Sequence, residues 1–348
     1  MRSLSSAIHV IAVDATYSVG RNLSGVGVYS REILFGLAQA HPEERFTFYY
    51  RPHRFLRSLR ERLPQNAQRK ILRGPPTGDV FHALNQRVDF PARRTVATFH
   101  DLFVMTGEYS MPEFRARFSA QAREAAQRSD LIVAVSRFTA LQVEQLLGVE
   151  RSRIRVIPHG VHPPAARPDE SARENLVLTV GAIQKRKNIA RLVRAFERMP
   201  DGWRLAIAGS PDGYGAAEEL RAVEESPRRV DIDVLGYVTA AKLESLYRRA
   251  RIFAFPSLDE GFGMPVLEAM AHGVPAVVSQ RSAMPEVAGD AALLVNPESV
   301  EQLADALCRL AGDMQLGYAL ARGGRERVLQ FPWKAAVERT WAAYEELR

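Results

Sequence analysis

The stretch EGFGMPVLEAM, Glu260 to Met270, sets two carboxylates eight positions apart, with a glycine-rich turn after the first and an apolar helical pattern around the second. Pro265 suits the first turn of a helix, where its missing N–H is not needed, and Gly273 and Pro275 supply a stop. The residues therefore predict a helix that begins at the glycine turn. Backbone N–H groups around Gly261, Phe262, Gly263 and Met264, with the positive end of the helix, make a site for an anion or a polar ligand group. Glu260 stands just outside that start and Glu268 about one turn inside it. The two carboxylates cannot meet on one atom, so the close pair of a retaining glycosidase, about 5 Å apart, is a poor fit. They suit the two ends of an elongated ligand.

Around this stretch the chain alternates strand-like and helix-like segments. In the first half these are IHVIAVDA, a helix from about Gly27 to Ala40, FTFYY, DVFHAL, TVATFHDL, a helix from about Pro112 to Arg128, DLIVAV, a helix from Ser136 to Leu147, and RIRVIP. The stretch HGVHPPAARPDESARE, His159 to Glu174, holds three prolines and no apolar periodicity, which marks a linker. A second alternating series follows: NLVLTVG, a helix from Asn188 to Met199, WRLAIAGS, VDIDVLGYV, a helix from Thr239 to Ala250, RIFAFPS, the Glu268 helix, GVPAVVS and AALLVNP. Alternation with short turns predicts parallel sheets covered on both faces. Two doubly wound domains in series would present the carboxyl ends of their strands to a shared cleft, and ligands bind at such ends.

Length and composition agree. At 348 residues the chain exceeds one ordinary core, and 46% apolar with 25% charged residues is the balance of a soluble globular protein. No secretory signal is expected, since the first strand-like run begins within ten residues of Met1, and no apolar run approaches the roughly 20 residues of a membrane helix. A cytoplasmic location follows. The single cysteine, Cys308, excludes an intramolecular disulfide and any multi-cysteine metal site, and reads as a small buried residue on a helix.

The net charge of +7 is concentrated: residues 51–73 hold eight basic side chains against Glu61 alone. Arg51, Arg54, Arg57 and Arg60 recur at threes beside Phe55, Leu56, Leu59 and Leu63, an amphipathic basic segment suited to an anionic membrane surface. Nucleic acid is not expected as a partner, because no aromatic-interleaved or fold-specific motif accompanies the charge.

Glu260 to Met270 matches the E-x7-E pattern, E-G-F-G-x-P-x-L-E, and on it the chain is identified as resembling the retaining glycosyltransferases of family 4 (glycosyl transferases group 1), of GT-B architecture. The resemblance runs in order through VDATYSVGRNLSGVGVYSREIL, TVATFHDLF, DLIVAVSRFTA, IRVIPHGV, VLTVGAIQKRKNIARLVRAF and FPWKAAVERTWAAYEEL. It implies an α/β chain with two doubly wound Rossmann-like domains facing a central cleft. Residues 1–163 would bind the acceptor, 164–332 the nucleotide sugar, and a C-terminal helix, 333–348, would cross back to the first domain.

Carried over by position, the resemblance gives Glu260 to donor-sugar hydroxyls and Glu268 to the ribose, with Gly261, Phe262, Gly263 and Met264 close to sugar and diphosphate. Lys187 and Arg186 would neutralise the diphosphate as charge develops on the leaving oxygen. Many family members place arginine directly after the strand's last glycine; here Ala182 follows Gly181 and the arginine arrives at Arg186. Gly25 and Gly27 would border the diphosphate, although Ser30 replaces the third glycine of a full dinucleotide fingerprint. His100 would contact the transferred sugar, Asp101 would orient His100 or touch the acceptor, and Gly236 and Tyr237 would lie near the nucleobase. His159 and His162 read as structural.

The function so implied is retaining transfer of a sugar, leaning towards mannose, from a nucleotide-diphospho-sugar to a sugar or lipid-linked sugar acceptor in bacterial polysaccharide or glycolipid synthesis. No cofactor and no metal are expected. Alternatives of the same architecture are a sugar-nucleotide epimerase and a sugar-nucleotide-binding module without catalysis.

Overall fold

A computed structural model of the chain describes residues 9–20, 22–90, 92–164 and 172–347. The chain forms two compact units. The first comprises residues up to Leu102, Arg115–Gly160 and Trp333 onward; the second comprises Phe103–Phe114 and Val161–Pro332. Residues 165–171, the middle of the expected linker, lie outside the described residues.

The chain runs β1 (Val10–Asp14), α1 (Gly25–Ala40), β2 (Arg45–Tyr50), α2 (Pro52–Ser58), β3 (Ala67–Ile71), β4 (Val80–Ala83), β5 (Thr95–Phe99), α3 (Phe103–Thr106), α4 (Pro112–Arg128), β6 (Leu131–Ala134), α5 (Arg137–Leu147) and β7 (Ile154–Val156). These seven strands make one parallel sheet in the order β3-β2-β1-β4-β5-β6-β7. The inner strands β4, β5 and β6 are buried along their whole length, as strands covered by helices on both faces must be. Local chemistry sets the helix ends: Ser136 caps α5 by accepting from Thr139 N–H, and Gly148 ends it in the left-handed region.

Next come β8 (Glu174–Val180), α6 (Ile189–Phe196), β9 (Arg204–Ala208), α7 (Ala216–Glu224), β10 (Ile232–Gly236), α8 (Ala240–Arg249), β11 (Ala250–Phe255), α9 (Met264–Ala271), β12 (Ala276–Ser279), α10 (Met284–Ala288), β13 (Ala292–Val295), α11 (Val300–Gly312), α12 (Met314–Val328) and α13 (Trp333–Glu345). The second parallel sheet has the order β10-β9-β8-β11-β12-β13. Its core fills with Leu205, Ile207 and Ile252 from the sheet and Leu192, Phe196 and Leu303 from α6 and α11. The last helix, α13, returns to the first unit as expected and packs on α1, where the missing side chain of Gly36 makes room for Val337.

In each sheet the order reverses once, between β1 and β4 and between β8 and β11. Loops leaving the carboxyl ends of such neighbouring strands diverge to opposite faces and leave a crevice there. In the second sheet those loops are Gly181–Asn188 and Pro256–Gly263, which carry the basic run and Glu260.

Three local expectations change. The amphipathic basic segment is divided between two elements: α2 ends at Ser58, and Arg69 and Lys70 lie on β3. Arg51 is buried against Asp14 and Asp89, so it leaves the basic face. Asn188, the expected first residue of the next helix, stands instead at the N-cap position of α6 in the left-handed conformation (φ 61°) without a side-chain cap; its amide donates to the carbonyls of Pro256 and Pro297, while Glu219 accepts from Ala190 N–H. Finally, Cys308 lies on α11 as read but is partly exposed.

Candidate active site

The second unit builds its site from the two loops at the β8/β11 crossing. The β8 loop opens at Gly181 (φ 136°) and is fixed by backbone bonds from Ile183 N–H to Ser210 O and from Lys185 N–H to Tyr214 O. The β11 loop is tied to it by Leu258 N–H donating to Arg186 O, 2.7 Å. This stitching brings Glu260 Oε1 within 2.6 Å of Arg186 Nη1 and into an ion pair with Lys187 Nζ. Arg186 also donates to the Asp259 carbonyl, 3.0 Å. All three charged groups are largely shielded: Glu260 is 8% and Lys187 9% exposed.

Burial alone would raise the Glu260 carboxyl, but the two cations outweigh it and bring its pKa down to about 2. Aromatic faces back both cations, Phe103 under Arg186 and Phe255 under Lys187, each 4.4 Å from ring centroid to charge. The glycine turn then enters α9. Gly263, at φ 89°, occupies its N-cap position, and a side chain there would run into Met284. Asp259, by contrast, has its pKa raised by burial, with Thr106 Oγ1 donating to Oδ2 at 2.7 Å. Phe103 and Thr106 belong to the excursion Phe103–Phe114, which groups with the second unit although it follows His100 and Asp101 directly in sequence.

Glu268 lies about one turn inside α9, apart from the Glu260 cluster. Its Oε2 accepts from the hydroxyl of Tyr247, 2.8 Å, and burial raises its pKa against the lowering effect of that bond. Tyr247 is stacked on His272, and Arg173 donates to the carbonyls of Tyr247, Ala250, His272 and Gly273, pinning the ends of α8 and α9 together. Gly236 closes β10 at φ 62°, and Tyr237 beside it is exposed.

In the first unit, Gly25 and Gly27 form the first turn of α1. Ser24 accepts from Gly27 N–H, and a side chain on Gly27 would meet the carbonyl of Tyr17. Ser30, in place of a third glycine, is buried and donates to Val26 O. His100 follows β5 and is buried, with one ring nitrogen on the Leu84 carbonyl and the other facing His159; Asp101 is half-exposed. His159, read as structural, lies against His100, a contact that its spacing in the sequence did not reveal. Tyr247 was equally silent, since its partner lies 21 positions away.

Residues 23–163 match the family described as Glycosyltransferase Family 4, and residues 174–313 the one described as Glycosyl transferases group 1. The O-antigen chain mannosyltransferase B of Escherichia coli is 32% identical over 284 residues, 77% of this chain and 74% of the relative. The chain belongs to glycosyltransferase family 4. Its GT-B fold is seen in the sucrose-phosphate synthase of Thermosynechococcus elongatus, with a TM-score of 0.78 at 21% identity over 97% of this chain and 98% of that one. Anabaena HepE in complex with UDP and glucose gives 0.75 at 15% identity over 97% and 99%. In this glycosyltransferase the two family matches meet near the division between units. Among the described residues there is no group of three or more His, Cys, Asp or Glu side chains placed to hold a metal ion, and no helix long and apolar enough to cross a membrane.

Proposed function

We propose that this glycosyltransferase transfers a hexose, with mannose as the first donor to test, from a nucleotide-diphospho-sugar to a sugar or lipid-linked sugar acceptor. The observation that carries the reading is the pair of shielded cations, Arg186 and Lys187, held on one oxygen of Glu260 beside the glycine turn at the start of α9. Such a cluster suits a ligand that brings negative charge and hydroxyls together. The diphosphate would take the cations and the glycine turn, and Glu260 would turn to sugar hydroxyls. Glu268, oriented by Tyr247, would hold the ribose, while backbone at Gly236 and Tyr237 would border the base.

In the first unit His100 is assigned to the transferred sugar and Asp101 to the acceptor. The chemistry is front-face attack with retention: the acceptor oxygen bonds to the anomeric carbon as the bond to the diphosphate breaks, and the leaving phosphate oxygen takes the acceptor proton. Fixed positive charge on Arg186 and Lys187 stabilises that leaving group without a metal ion or other cofactor. The mannose assignment is supported by the name of the E. coli relative. Attachment at the inner face of a membrane is supported by the exposed Leu56, Leu59, Arg57 and Arg60 of the basic segment.

The test is thermal stabilisation against GDP-, UDP-, ADP- and dTDP-sugars, repeated in Glu268→Ala, because a ligand of the folded state raises its apparent stability. GDP-mannose is expected to give the largest shift and Glu268→Ala to abolish it. Anomeric analysis of the product then checks retention. A turnover requirement for Mg²⁺ counts against the metal-independent mechanism, and sugar-nucleotide conversion without acceptor would replace transfer by epimerisation.

A further inference from the structure

His100 leaves the carboxyl end of β5 nearly enclosed, at 6% exposure. Its Nε2 is 2.9 Å from the carbonyl oxygen of Leu84, and because a carbonyl only accepts, Nε2 carries a proton. Burial lowers the pKa of the ring to about 4, so at neutral pH it holds that one proton and Nδ1 is a bare lone pair. The atom facing the lone pair is His159 Nε2, 3.4 Å away, with the two rings stacked at 5.3 Å. Two bare lone pairs would repel, so His159 donates.

The surroundings hold both rings in place. Tyr29 sets its ring edge-on to His100 (4.9 Å) and His159 (4.8 Å), and its hydroxyl shares a bond with Thr98. Gly160 follows His159, and a side chain there would collide with the backbone of Trp333 at the start of α13.

We infer that His159 is a positioning residue: its Nε2–H holds the Nδ1 lone pair of His100 in the unliganded protein and yields it to a ligand hydroxyl, while Leu84 keeps the tautomer fixed. The longer of the two bonds, 3.4 Å against 2.9 Å, is the one that gives way. His100 therefore presents an acceptor, and the group it receives must be a donor, a sugar hydroxyl rather than a phosphate oxygen. That last step rests on the transfer reading above; the tautomer and the His159 contact do not.

The experiment uses the full chain labelled with ¹⁵N-histidine and no ligand, with His100 assigned by His100→Gln. Long-range ¹H–¹⁵N spectra at neutral pH are expected to show the Nε2–H tautomer of His100. The Nδ1 resonance should move in His159→Phe, which keeps a ring without a donor, and return in His159→Gln, which restores an N–H. A proton on Nδ1, or a resonance indifferent to His159→Phe, overturns the assignment; where that variant does not fold, His159→Leu takes its place. In turnover of GDP-mannose, kcat should fall about 3- to 10-fold in His159→Phe and recover to within about twofold in His159→Gln, with donor KM unchanged. Equal losses in both variants overturn the positioning role. Expected spectra with no turnover by the unsubstituted protein overturn the ligand half and uphold the histidine pair.

Discussion

Replacing Glu260 by Gln keeps the side-chain shape and an oxygen that accepts from Arg186 and Lys187, and removes only the charge between them. The magnitude follows from the depressed carboxyl. A fall from the ordinary 4.5 to about 2 is roughly 2.5 units, and at about 1.36 kcal/mol each this gives about 3 kcal/mol. Loss of one partner from a shielded ion cluster generally costs about 3 to 5 kcal/mol, so the two scales agree. Because the folded-state value lies below the unfolded one, this stability is fully present above pH 4.5 and drains away as pH falls towards 2. Glu260→Gln has no such proton to take up. Urea unfolding at pH 7 should place the variant about 3 kcal/mol below the unsubstituted protein, and the gap should narrow by about 1.4 kcal/mol per unit between pH 4.5 and the lowest pH at which both fold. A gap that is absent at pH 7, or that stays constant with pH, refutes the account of the cluster.

The same variant leaves both cations to a diphosphate, so calorimetry should show GDP or UDP, whichever binds, at least about tenfold tighter, while sugar transfer is lost. Tyr247→Phe removes the donor from Glu268 Oε2; donor affinity should drop about 3- to 10-fold with about 1 kcal/mol of stability, and because burial then raises Glu268 without that opposing bond, the pH below which donor binding fails should move up. Gly160→Ala should destabilise by about 1 to 3 kcal/mol in thermal unfolding, since its methyl meets the backbone of Trp333. Neutralising Arg54, Arg57 and Arg60 together should weaken sedimentation with anionic vesicles and leave donor-induced thermal stabilisation intact; unchanged vesicle binding refutes the membrane role.

The fold was legible because its signals are local and repeated. Most strands are short apolar runs, several helices carry their own cap or glycine stop, and sequence order maps onto a parallel sheet under the crossover rules. What escaped depends on partners distant in sequence. Arg51 reads as one more member of a basic stripe, and only the fold reveals Asp14 and Asp89 beside it. Asn188 reads as the start of a helix, yet its amide is taken by the carbonyls of Pro256 and Pro297, 68 and 109 positions away. Strand β3, with its alternating Gln68 and Lys70 facing out, was lost within the charge of the basic segment.

The candidate site divides along the same line. Glu260 and Glu268 stand out because a turn and a helix fix their spacing within one local motif, and the basic run precedes a helix as a phosphate-binding loop would. The residues that set the state of these groups do not share their motifs: Tyr247 reaches Glu268 from the preceding helix, and His159 reaches His100 from 59 positions on. A motif can name the atoms that meet a ligand, since the ligand's shape constrains a few neighbouring positions. The hydrogen bond that fixes a tautomer or an orientation can come from any element that packs nearby, so it leaves no spacing to read. For this glycosyltransferase the groups assigned to the ligand are therefore written in the sequence, and the groups bonded to them emerge only from the fold, Tyr247 on α8 beside Glu268 on α9 and His159 after β7 beside His100 after β5.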